Sequence, residues 1–253
     1  MNQPRSTPAV SKTIQVAPGV HQVPLGFVNA YLIETDGELS IFDAGFAVDR
    51  DDIAAAIREI GYEPSDLKRV VMSHNHVDHS DGAIGLRELT GARLLLSKLD
   101  GDQAAKGLAG HSEMNVKEGF EELVASQMTD PEFAAKMGGF GPPPTPITAF
   151  EVDAHLEPGS AVEGLGDSLV IAAPGHCKGQ VAVLLKRDGG ILLTGDAAVN
   201  FGFIGIAPVA EDLALAQESF EALAQHDFEV ACFGHGEALI SGASASFKAA
   251  VEA

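Results

Sequence analysis

Along the first fifty positions, apolar and polar residues alternate with a period close to two. The stretch VHQVPLGFVNAYLIETDGELSIFDAG reads as successive strands, turned at Asp36-Gly37 and ending at Asp43-Ala44-Gly45. The period then lengthens. In DRDDIAAAIREIGYEP, Ile53, Ala56, Ile57 and Ile60 fall on one helical face. Acidic residues crowd the start of that helix and suit its positive end, while Gly61 with Pro64 closes it. KRVVMS reads as a short buried strand, DGAIGLREL as a helix and ARLLLS as another strand.

From residue 100 to about 150 the alternation breaks. Short helices are predicted over 116–126 and 131–137, leading into GGFGPPPTP, which can be neither helix nor central strand. The rhythm resumes with SLVIAAPGH, QVAVLLKRDGGILLTGD, a helix near 212–225, EVACFGHG and a final helix. Strands alternating with helices predict an α/β fold. Both halves follow one plan, hairpins first and then helix, strand and polar motif. They therefore read as a single pseudo-duplicated domain over residues 13–253, behind a flexible tail at 1–12. The 100–150 insertion is expected to form a lid, a binding loop or an interface, and a homodimer through it stays open.

Composition narrows the classes. With 253 residues, 45% of them hydrophobic and 21% charged, the chain can bury a sizeable core. A formal charge of −20 without any cluster of Lys or Arg argues against a nucleic-acid partner. No apolar run reaches the roughly 18 residues of a membrane span. MNQPRSTPAVSK lacks the apolar segment of a secretory signal. Cys177 and Cys232 are too few for a disulfide framework and suit free thiols. The expectation is a cytoplasmic protein acting on a small-molecule substrate, with no membrane partner.

Candidate chemistry lies where strands stop. After Val70-Val71-Met72 comes HNHVDH, which sets His74, His76, Asp78 and His79 within six positions. Three later strands also stop at a glycine-flanked ligand type: VIAAPGHCKG at His176, ILLTGDAA at Asp196 and VACFGHGE at His235. Strand ends in α/β folds gather at one edge, where ligands bind. Imidazole and carboxylate together suit borderline divalent metals. Five histidines and two aspartates are enough for two metal ions sharing a bridge. A lone histidine at a strand end would read as structural; four motifs at four strand ends do not.

HNHVDH followed by His176, Asp196 and His235 resembles the metallo-β-lactamase-fold hydrolase superfamily over roughly residues 14–240, and FDAG before the first long helix has its usual place there. The resemblance implies a four-layer αβ/βα sandwich. It implies one metal held by His74, His76 and His176, a second held by Asp78, His79 and His235, and Asp196 bridging them. Zinc is the expected metal, with iron and manganese as alternatives. Asp43 resembles the superfamily's carboxylate behind the ligands, or caps a turn at a strand end. The implied activity is hydrolysis: a metal-bound hydroxide attacks an ester, thioester or lactone carbonyl of a small apolar substrate, with Asp78 positioning the nucleophile.

A bridging Asp196 resembles the glyoxalase II, thioesterase and lactonase branches more than the β-lactamases proper. Val199 stands where homoserine-lactone lactonases commonly carry tyrosine, and the short stretch after His235 leaves no glutathione-binding extension. Two other readings are persulfide dioxygenation by one iron on His74, His176 and Asp196, and β-lactam hydrolysis as a side activity. Met128, Phe133, Met137 and Phe140, with Phe201, Phe203 and Ile204, form either an apolar pocket over the metals or a satellite core. His111 reads as an exposed surface histidine, Cys177 as a small packed residue and Lys178 as a solvated lysine.

Overall fold

In the computed structural model, which describes residues 13–137 and 141–253, two sheets pack face to face with helices outside both. The tail expected at 1–12 and Phe140 lie outside the described residues. Strands β1 (Ile14–Ala17), β2 (Val20–Pro24), β3 (Asn29–Thr35), β4 (Glu38–Phe42), β5 (Leu67–Val71), β6 (Arg93–Leu96) and β7 (Ala154–His155) form a seven-stranded sheet in that order. Strands β8 (Ser168–Ala172), β9 (Val181–Leu185), β10 (Ile191–Leu193) and β11 (Val230–Cys232) form a four-stranded sheet, again in order. Each sheet opens with antiparallel pairs and ends with parallel ones, which begin at β4–β5 and at β10–β11.

Helices α1 (Arg50–Glu59), α2 (Val77–Ser80), α3 (Ala83–Thr90) and α4 (Lys98–Ala104) belong to the first half. The insertion carries α5 (Glu121–Thr129) and α6 (Pro131–Met137), and α7 (Leu213–Leu223) and α8 (Ala243–Glu252) belong to the second half. Strand alternation assigns each side chain to a layer. Tyr31, Ile33, Phe42 and Val71 point inward and meet Val170, Val181, Val183 and Leu193 between the sheets. Leu32, Ile41 and Val70 point outward and are covered by Ile53, Ala56 and Ile57 of α1 and Leu86 of α3. On the far side, Ala182, Leu184 and Leu192 pack under Phe220 of α7 and Phe247 of α8. The expected αβ/βα sandwich is the observed one.

The insertion differs in detail from its sequence reading. Asn115 and Val116 pair with Ala210 and Val209, and Gly119 takes a φ of +84°. The helix expected from 116 therefore starts only at Glu121 and runs to Thr129. None of its residues is buried. Among the described residues, no helix is long and apolar enough to cross a membrane.

Candidate metal centre

The C-terminal ends of β4, β5, β8, β10 and β11 meet at one edge. Asp43 follows β4 directly, His74 lies just past β5, His176 past β8, Asp196 past β10 and His235 past β11. Bonds between the sheets fix their ends: Val181 N–H donates to Ser73 O at 2.9 Å, Asn29 N–H to Gly234 O at 2.8 Å, and the Tyr31 hydroxyl to Phe233 O at 2.8 Å. His76 is the extended residue before α2, a single helical turn that brings Asp78 and His79 round to the same side. Gly234 keeps this crossing open, because a Cβ there would stand 2.5 Å from Asp196 Oδ1 and 2.8 Å from the His79 ring.

All seven side chains named from the sequence converge. His76 Nδ1 lies 3.0 Å from His74 Nε2 and 2.9 Å from His176 Nε2, one triangle of nitrogens. In a second group, Asp78 Oδ2 faces His79 Nε2 at 3.6 Å and His235 Nε2 at 3.3 Å. Asp196 joins the two: Oδ1 is 3.3 Å from His79 Nε2, while Oδ2 is 3.3 Å from His176 Nε2 and 3.2 Å from His235 Nε2.

The opposite ring nitrogens are tied down. His176 Nδ1 meets the carbonyl of Val209 and His235 Nδ1 that of Phe27, both at 2.9 Å. These partners only accept, so each Nδ1 carries a proton and Nε2 is the atom turned inward. Asp43 organises both groups. Its Oδ1 accepts the Ser73 N–H at 2.7 Å, and its Oδ2 takes the Ser73 hydroxyl at 3.0 Å and His79 Nδ1 at 2.9 Å. Ser73 Oγ in turn lies 2.9 Å from His74 Nδ1. Asp43 pays for this position with a left-handed φ of +64°, a conformation aspartate tolerates better than most residues. It thus both orients ligand-type side chains and ends its strand.

The donor set suits divalent cations. His79 Nε2 and Asp196 Oδ1 are buried and lack a hydrogen-bond partner, and they face each other. The two groups titrate in opposite directions. Burial, with His79 and His76 alongside, holds the His74 imidazole well below its ordinary value; burial and His176 bring His76 down to about 3. Burial opposes a cation at His235 too, but Asp196 and Asp78 raise it to about 10, and Asp196, Asp78 and Asp43 likewise raise His79. Burial works against ionising Asp78, yet His79 and His235 bring its carboxyl down to about 2. The first group therefore presents neutral imidazoles, ready to ligate. The second pairs its carboxylates with protonated His79 and His235, and a cation taking the place of those protons would satisfy the same negative charge.

A cavity of about 680 Å³ opens over this edge. His76, Asp78, His176, Asp196 and His235 form its floor, and the insertion supplies much of its roof, including Met128, Phe133 and Met137. Phe27 and Phe201 line the side near His235, with the Phe27 ring tilted against His235 at 4.4 Å and edge-on to Phe133 at 4.7 Å. The apolar-pocket reading thus holds for Met128, Phe133, Met137 and Phe201. Phe203 instead packs on Phe120 at 5.1 Å, and Ile204 packs against the core beneath the second sheet.

The profile of the Metallo-beta-lactamase superfamily matches residues 23–235. The chain belongs to this superfamily. No curated protein matches it. A subclass B3 metallo-beta-lactamase of Bradyrhizobium japonicum shares the fold with a TM-score of 0.64 and 20% identity, over 88% of this chain and 77% of that one. The metallo-beta-lactamase of Legionella gormanii gives 0.64 and 20%, over 91% and 82%. A class B3 di-zinc metallo-beta-lactamase from an Alaskan soil metagenome gives 0.64 and 19%, over 93% and 84%. At these identities the likeness is one of fold.

Around these seven side chains, the structure adds residues that the sequence reading passed over. Asp100, fully buried in α4, accepts the Asn75 N–H at 3.0 Å between His74 and His76. The same carboxylate takes the Cys177 thiol at 3.4 Å, beside His176. Its other oxygen lies 2.6 Å from His111 Nε2. The exposed histidine expected at 111 is thus a half-buried partner of Asp100, held where the insertion crosses α4. Glu211 accepts the N–H groups of His111 and Ser112 at 2.7 and 3.0 Å. Cys177 is buried, and burial with Asp100 nearby pushes its thiol well up, as befits a packed residue. Lys178 is exposed. Asp100 and Glu211 carried no local signal: Asp100 lies inside α4, and Glu211 follows a strand of only two residues, Val209–Ala210.

Proposed function

We propose that this protein is a dinuclear metal-dependent hydrolase of esters, thioesters or lactones. The observation that carries the reading is the convergence of five imidazoles and two carboxylates on one buried edge, under a cavity large enough for a small substrate. His74, His76 and His176 would hold one cation and Asp78, His79 and His235 the other, with Asp196 shared between them. Zinc suits this nitrogen-and-carboxylate set. When bound, the cations supply a water of lowered pKa and polarise the substrate carbonyl.

The chain's own residues do the rest. The hydrogen bonds on the outer nitrogens and Asp43 hold the imidazoles in one orientation, so little rearrangement accompanies reaction. Asp78 reaches the cavity and accepts a hydrogen bond from the attacking water, positioning it beneath the acyl carbon. A carboxyl brought down to about 2 is a weak base, so positioning outweighs proton uptake. The roof excludes bulk water from the floor. Water adds to the acyl carbon, the bond to the alcohol or thiol breaks, and the proton leaves with that group.

The intact second group, Asp78, His79 and His235, favours two metals over a single iron. Metal content measured alongside a panel of esters, thioesters and lactones tests the proposal. About two zinc ions per chain and chelator-sensitive turnover support it. One iron with oxygen uptake replaces it with the dioxygenase reading.

A further inference from the structure

We infer that the cavity selects uncharged substrates: it accepts an ester or lactone whose acyl part is alkyl or aryl to its far end, and it rejects one ending in a carboxylate. This rests on the hydrolase reading and adds to it the charge class of the substrate.

Above the floor the wall is almost wholly carbon. It includes Phe27, Met114, Val124, Phe133, Pro143 and Phe201, and among the described residues its polar side chains are Gln127 and Thr145. The Thr145 hydroxyl is already engaged, donating to Gly141 O at 2.8 Å. Among the described residues, no lysine or arginine contributes to the wall. The lysines flanking it in sequence are held elsewhere. Lys136 pairs with Asp49 at 2.8 Å and donates to Leu25 O, and Lys117 lies over the Phe120 ring at 5.3 Å.

A carboxylate placed against Phe27, Phe133 and Phe201 gives up its water and, among the described residues, meets no cation in return, only the neutral Gln127 amide elsewhere on the wall; an alkyl or aryl group there loses nothing. The chain's formal charge of −20 also disfavours approach by anions.

Three 4-nitrophenyl esters with the same six-carbon acyl chain separate charge from size: the hexanoate, the adipate hemiester with a free carboxylate, and its methyl-capped form. With the zinc-loaded enzyme, kcat/KM for the hemiester is expected about 100-fold or more below the hexanoate, and the capped ester within about tenfold of it. Gln127→Arg places a cation on the wall and is expected to raise the hemiester at least about tenfold relative to the hexanoate. Equal rates for hemiester and hexanoate overturn the inference and leave the hydrolase reading standing. An unchanged ratio in Gln127→Arg overturns the placement of the acyl end against this wall. Absence of turnover for all three esters overturns the hydrolase reading, and the inference with it.

Discussion

The floor and the roof of the cavity are built on opposite terms. The seven ligand-type side chains at and beneath the floor come from loops after strand ends or from the single turn α2 and are largely buried, and His74, His79, His176 and His235 have their outer nitrogens bonded into the scaffold. The roof helix α5 has no buried residue, and Met128 on it is 60% exposed. The floor can therefore hold charge in fixed positions, which metal chemistry requires. The roof can shift or change sequence at little cost to the core, as befits the part that meets substrate.

The sharpest way to break this contrast is to remove a floor residue. His76→Ala or Asp196→Ala is expected to lower turnover at least about a thousandfold, because each deletes a group facing the centre of the site. Wild-type-like rates in either variant would refute the roles assigned to them. One step back, Asp43→Ala removes the acceptor shared by Ser73 and His79. Metal affinity measured by chelator competition should fall about 10- to 100-fold, the usual effect of losing a group behind a ligand. Unchanged affinity would reduce Asp43 to a turn residue.

Asp100→Ala tests the link between floor and insertion. It leaves the buried Asn75 N–H and His111 Nε2 unpartnered, and a loss of about 3 kcal/mol in urea unfolding is expected. A loss below about 1 kcal/mol would show that water replaces the carboxylate. The smallest effect belongs to the roof. Phe133→Ala should raise KM severalfold for an apolar ester while leaving kcat and the melting temperature nearly unchanged. A collapse of kcat there would mean that the roof takes part in the chemistry.

The same contrast explains what could be read from the sequence. Val70-Val71-Met72 running into HNHVDH, and the glycine-flanked His176, Asp196 and His235, are local signals, since a strand's end and its ligand type are adjacent in the chain. Layer assignment was not legible in the same way: Tyr31, Leu32 and Ile33 are all apolar, and only the packed structure sends Tyr31 and Ile33 to one layer and Leu32 to the other. Asp100 and His111 form a tertiary pair between a helix and the insertion, and nothing beside either residue announces the other. The start of α5 was misplaced because the Val116–Val209 pairing that delays it is equally distant in sequence.

The floor's two groups differ in proton content, which gives the most direct test of the whole account. Without metal at neutral pH, His235, raised to about 10, and His79, raised by Asp196, Asp78 and Asp43, hold protons. Metal must displace them, so apparent affinity should rise with pH. Calorimetric zinc titration of chelator-stripped protein, in buffers of differing ionisation enthalpy, reads both stoichiometry and proton release. The account predicts about two zinc ions bound per chain with about two protons released near pH 7. A single zinc bound, or none, with no proton release would contradict it.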